Sequence, residues 1–246
     1  MIDKRFATPR PVRLDVKLAI ADVEIRTVDG TESSVTITGT ERLLDLITVD
    51  LVGDRLLIEM KHKIFGGWGQ RWGSIDVQVT VTVPHHSEVR IACAAGDAFI
   101  DGTLACLDIK GASGQLRATG EIVGDATVKT VSGDIRLPRI GGDLTAGTVA
   151  GDVFADSVSG SVTAKSVSGD IRLGSVQAGQ VKVHCVSGDV EIGIAVGSNV
   201  DVDATSTSGS LSSEVPLASA PRGDGAPTVV VRGKTVSGDV RVFRAA

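Results

Sequence analysis

A glycine-centred turn recurs along this chain every nine or ten residues, and few folds tolerate that spacing. The central glycines are Gly114, Gly124, Gly133, Gly142, Gly151, Gly160, Gly169, Gly179 and Gly188, in turns such as VSGDI, VAGDV and VSGDV. An earlier turn centres on Gly96, and later ones on Gly209 and Gly238 follow longer inserts. A short fixed period of this kind marks stacked units that bury their apolar faces only against one another.

Every second turn (Gly133, Gly151, Gly169, Gly188) keeps the small-Gly-Asp-apolar form, while those between drift. The coil is therefore two steps, about 18–19 residues, with one strand on each of two faces. After each turn comes strict alternation, as in Ile135-Arg136-Leu137, Ile171-Arg172-Leu173 and Val190-Glu191-Ile192, which sends apolar side chains inward and charges outward. The expected fold is all-β: a two-sided β-solenoid over 93–246, preceded by a small N-terminal β-sheet or sandwich cap over 1–92. Residues 96 to 211 should form about six stacked coils.

Composition agrees with such a chain. Thirty glycines against seven prolines call for frequent turns, and 3% aromatic residues leave Val, Ile, Leu and Ala to fill the core. Net charge is −5, and neither the first 92 residues nor the remainder has a basic excess, which argues against nucleic acid as a partner. Three cysteines, Cys93, Cys106 and Cys185, form no CxxC pair. The N-terminus has no apolar signal region, and no stretch approaches the roughly 20 apolar residues of a membrane helix, so a cytoplasmic protein is expected.

Between Arg10 and Ala92 the runs alternate or are β-branched but do not repeat, which suits a cap that covers the first coil's edge. Two segments interrupt the pattern. The loop Ile64–Gly73 carries Phe65, Trp68 and Trp72 among four glycines, and 212–228, rich in Pro, Ala, Ser and Gly, reads as an exposed insert.

On the VSGDI-type turns over 93–246, with entry strands through VQVTVTVP (Val77 to Pro84) and SEVRIACAAGDA, the chain resembles the bacterial DUF4097 family of β-strand-repeat proteins. The resemblance implies a repeat β fold and, through the adhesin role attached to the family by name, a binding rather than a catalytic protein.

The aspartates after the corner glycines (Asp97, Asp134, Asp152, Asp170, Asp189 and Asp239, with Asp125 and Asp143 on the intervening turns) are expected to cap turns by accepting neighbouring backbone N–H groups. Calcium-binding β-rolls need a different pattern, G-G-x-G-x-D-x-U-x, and Ca²⁺ takes roughly six to eight oxygens, so no metal and no cofactor is called for. His85-His86 and the His184-Cys185 pair lack metal-ligand spacing or a nucleophile elbow. Arg222-Gly223-Asp224 matches a cell-attachment tripeptide, but three residues are a weak signal and Pro-Arg-Gly-Asp-Gly is ordinary turn composition.

Trp68 and Trp72, with Phe65, are the expected partner contacts, since a Trp in a Gly-rich loop commonly anchors an interface; the alternative is a plug folded over the end of the solenoid. The functional expectation is a non-catalytic β-solenoid scaffold for protein–protein interaction or self-assembly. Its alternatives are a surface adhesin or glycan-binding module and, behind them, a carbohydrate-active enzyme.

Overall fold

The computed structural model describes residues 1–60, 77–215 and 226–245, and its contacts divide the chain into two units, Met1–Thr119 and Gly120–Ala246. Among the described residues there are 22 strands and one helix of four residues.

The first unit holds β1 (Ile2–Ala7), β2 (Arg13–Ile20), β3 (Asp22–Val28), β4 (Glu32–Thr38), α1 (Glu41–Leu44), β5 (Ile47–Val52), β6 (Arg55–Met60), β7 (Gln78–Pro84), β8 (Ser87–Ala95) and β9 (Ala98–Ser113). One layer runs β5, β6, β2, β8 and then the C-terminal part of β9. The other runs β1, β4, β7, β3 and the N-terminal part of β9. Pairing is parallel except at the outer strands β1, β4 and β5. Alternation places Leu14, Val16, Leu56, Ile58 and Val89 of one layer, and Val23, Ile25, Ile37, Val81 and Ile100 of the other, in a core that excludes water.

β9 serves both layers because it bends at Gly102, where φ is +109° and a Cβ would lie 2.2 Å from Thr27 Oγ1. Coil stacking reaches back well before the repeat. β2 and β3 form a coil whose strands pair in parallel with β8 and β9, and its corner is Ala21-Asp22, not Gly-Asp. Asp22 Oδ1 accepts the N–H of Asp97 at 2.9 Å. The N-terminal strands thus form a first coil with antiparallel strands at its edges.

β10 (Leu116–Ile122) carries the chain across the division. The second unit continues with β11 (Ala126–Lys129), β12 (Ile135–Ile140), β13 (Leu144–Gly147), β14 (Val153–Val158), β15 (Val162–Ser168), β16 (Ile171–Val176), β17 (Gly179–Ser187), β18 (Val190–Ile194), β19 (Asn199–Ser208), β20 (Leu211–Ser213), β21 (Thr228–Ser237) and β22 (Val240–Arg244). These strands pair in parallel with those a coil away, Ile135 with Val153, Val153 with Ile171 and Ile171 with Val190.

Stack order departs from chain order at the end. One face runs β11, β13, β15, β17, β21, β19, and the other β12, β14, β16, β18, β22, β20. The chain passes over one coil position to build β19 and β20, then returns and fills the gap with β21 and β22. The last coil in the chain thereby enters between its two predecessors. Val229, Val231, Val240 and Val242 are fully buried in that slot, whereas β19 and β20, at the stack's end, are largely exposed.

The two corners use glycine for different reasons. Gly133, Gly151, Gly169, Gly188 and Gly238 have φ between +125° and +143°, where side chains are strained. Gly142 and Gly160, at the opposite corner, need room: a Cβ there would lie 2.2 and 2.3 Å from Asp125 Oδ1 and Asp143 Oδ1.

Candidate functional site at the Ser-Gly-Asp corner

Stacking turns each position of the repeat into a column with a strand-to-strand step of about 4.8 Å. Around the corner of the second unit four columns lie side by side, and the alternation of the strand leading into the turn decides which face solvent.

The aspartate column supports the fold from coil to coil. Asp134 Oδ1 accepts the N–H of Asp152 at 3.1 Å, and the next links, Asp152 to Asp170, Asp170 to Asp189, Asp189 to Asp239 and Asp239 to Ser210, are each 2.8 Å. In the first unit Asp97 Oδ1 accepts from Gln115 N at 2.8 Å. At the opposite corner Asp125 and Asp143 accept from the N–H groups of Asp143 and Ser161. Each carboxylate therefore caps the neighbouring coil of the stack, not its own turn, whether or not the residue before it is a positive-φ glycine. The hydrogen bond from the Ser210 backbone, with a second from its hydroxyl, lowers the pKa of Asp239.

Three residues before the glycine the column points inward. Thr148, Ser166, Cys185 and Thr235 are buried there. Cys185 Sγ donates to Gly169 O at 3.4 Å, while the hydroxyls of Thr148, Ser166 and Thr235 have no partner among the described residues. Burial, with Asp170 nearby, raises the Cys185 pKa, and burial likewise raises that of Cys93. Both thiols are thereby kept protonated and poorly nucleophilic.

Two residues before the glycine the column points outward and is apolar. Val131, Val149, Val167, Val186 and Val236 are 46 to 52% exposed, one on each of five consecutive coils. The register that aligns Ser132, Ala150, Ser168, Ser187 and Ser237 beside them makes the stack continuous. On the far side, four residues before the glycine, Lys129, Gly147, Lys165, His184 and Lys234 align. An exposed valine ridge thus runs between a basic column and the aspartates.

Other residues singled out from the sequence fall elsewhere. Phe65, Trp68, Trp72 and Arg222-Gly223-Asp224 lie outside the described residues. His85 Nδ1 is 2.6 Å from Thr27 Oγ1, which also accepts the N–H of Thr103 at 2.8 Å, and His85 Nε2 is 3.8 Å from Asp29 Oδ1. The valine ridge was not identified from the sequence. Its signal was present, since the Val of each VSGD turn lies one step from an inward small residue and so must face out.

The sequence profile of the Toastrack DUF4097 family matches residues 12–243. The chain belongs to the Toastrack DUF4097 family. No curated protein matches it significantly. Among solved structures this Toastrack chain is similar to a "putative adhesin" of Bacteroides fragilis, at 13% identity over 98% of this chain and 96% of the other, with a TM-score of 0.60. It is also similar to one from Parabacteroides distasonis, at 14% identity over 98% and 96% of the two chains, with a TM-score of 0.57. At such identities the likeness establishes a shared fold and carries no activity with it.

Proposed function

We propose that this Toastrack protein is a non-catalytic scaffold that engages a protein partner along the valine ridge of its second unit. The observation that carries the reading is the choice of side chain at Val131, Val149, Val167, Val186 and Val236. Outward strand positions favour β-branched residues, and threonine meets that preference without exposing an apolar surface. Threonine is what the chain uses at Thr127, Thr145 and Thr163 on the same face, and at Thr207 on the terminal coil. Five valines in register are a contiguous apolar strip, the kind of feature that marks an interaction surface.

Magnitude limits what the strip does alone. Five half-exposed valines offer well under the ~800 Å² per partner of a stable interface, so the flanking basic and acidic columns must contribute register and selectivity. A partner with an extended apolar segment bordered by both signs of charge suits this geometry. The test replaces Val149, Val167 and Val186 with Thr. Sedimentation over a concentration series, and binding to the immobilised protein, should show association lost with the melting temperature unchanged. Association equal to that of the unaltered chain would refute the reading.

A further inference from the structure

The valine ridge carries a different charge on each side, and both sides have capacity left over. Lys129, Lys165 and Lys234 are exposed and make no ion pair among the described residues. Asp134, Asp152, Asp170 and Asp189 commit Oδ1 to the ladder, and none of them makes an ion pair among the described residues either. The order across the corner is the same from coil to coil: Lys165, Val167 and Asp170 on one, His184, Val186 and Asp189 on the next.

A strip with this order is complementary to itself in one orientation. Two copies of one face meet symmetrically about a two-fold axis that lies in the plane of contact. With the axis across the ridge, the ridges run antiparallel, lysines oppose lysines and aspartates oppose aspartates. Such like-charge juxtaposition is strongly disfavoured. With the axis along the ridge, the ridges run parallel and the two sides exchange, so the lysines of each copy lie over the aspartates of the other.

We propose that the occupant of the valine ridge is a second copy of this chain, packed ridge on parallel ridge about a two-fold axis along the stack. This rests on the reading of the ridge as an interaction surface and adds the partner and its orientation. Val131, Val149, Val167, Val186 and Val236 meet their own counterparts on the axis. Lys129, Lys165, His184 and Lys234 stand opposite the partner's Asp134, Asp170, Asp189 and Asp239, while the coil of Val149 has Gly147 in the basic column and supplies no cation. Five coils span only about 24 Å, so the pair is weak and depends on concentration. Solvated ion pairs add little affinity each, and their part is to select the parallel orientation.

The test is sedimentation of the full chain over a series reaching about 1 mM, the range of weak pairs. A monomer–dimer equilibrium is expected. Changing Lys129, Lys165 and Lys234 together to Glu should abolish it and leave the circular dichroism spectrum unchanged. Orientation is read with a short bismaleimide in a Cys106→Ser background, Cys106 being the exposed native thiol. Val131→Cys and Val236→Cys, four coils or about 19 Å apart, should each cross-link to their own kind and not to each other. A chain monomeric throughout, a triple Glu variant that dimerises like the unaltered chain, or cross-linking confined to the mixture of the two cysteine variants would overturn the proposal. If a chain monomeric throughout binds a different protein, and changing Val149, Val167 and Val186 to Thr abolishes that binding, the second copy is refuted and the interaction surface stands. If those changes alter no association, both are refuted.

Discussion

The carboxylate of Asp170 accepts the backbone N–H of Asp189, 2.8 Å away and 19 residues on, so a side chain on one coil holds the corner of the next. Asp170→Ala removes an acceptor from an exposed N–H and should lower stability by about 1 kcal/mol in a denaturant titration. Asp170→Asn keeps an acceptor oxygen and removes one charge from a column of like charges, so it should be near neutral, and slightly stabilising at low salt. Added calcium should leave both melting temperatures where they are.

The same geometry sets a pH dependence at Asp239, whose pKa is lowered by the bonds from Ser210. A depressed folded-state pKa contributes stability above the unfolded value, about 3.9, and that contribution is lost as pH falls through the folded pKa. Acid denaturation followed below about pH 4 should be less steep for Asp239→Asn than for the unaltered chain. Parallel curves would remove Asp239 from the acid response.

Glycines separate by conformation and by space. Gly151→Ala places a side chain at φ +138° and a Cβ 2.3 Å from Gly133 O, so a loss of more than about 2 kcal/mol is expected. Gly147 has no atom within 4 Å of its would-be Cβ and no positive φ, and Gly147→Ala should gain about 0.5 kcal/mol. Urea midpoints of the two variants should therefore move in opposite directions.

These differences explain what the sequence could reveal. Gly133, Gly151, Gly169 and Gly188 are fixed by a backbone requirement only glycine meets, so the coil period and the two-faced fold are legible in one chain. The coil built on Ala21-Asp22 escapes the same reading because its corner lacks the glycine, though Asp22 makes the same interlayer bond. The valine ridge is hidden within the motif that announces the fold, where Val passes for a strand residue.

The buried hydroxyl of Thr148 has no partner among the described residues, and Ser166 and Cys185 of the same column are small. Thr148→Val keeps the shape and removes the unpaired polar group, so stability should rise by about 1 kcal/mol. A fall of that size in thermal unfolding would mean the hydroxyl finds a hydrogen-bond partner, such as a bound water, in solution.

Local unfolding should follow the order of the stack, not the order of the chain. Val231 pairs with Val181 on one side and Val202 on the other, and is fully buried. In a stack whose stability is a sum of nearest-neighbour terms, a coil is held by the layers that touch it. Val231→Asp introduces an unpaired buried charge and should release β21 and β22. β19 and β20, which among the described residues pair only with those strands, should be released with them. Val202→Asp acts on the terminal layer and should free β19 and β20 while leaving β21 and β22 anchored on β17 and β18. Native-state hydrogen exchange distinguishes the outcomes segment by segment. The expected result is joint loss of protection over 199–213 and 228–244 for the first variant, and loss over 199–213 alone for the second, with 126–176 protected in both. If Val202→Asp also exposes 228–244 while Val231→Asp spares 199–213, stacking follows the chain and the intercalated coil is wrong.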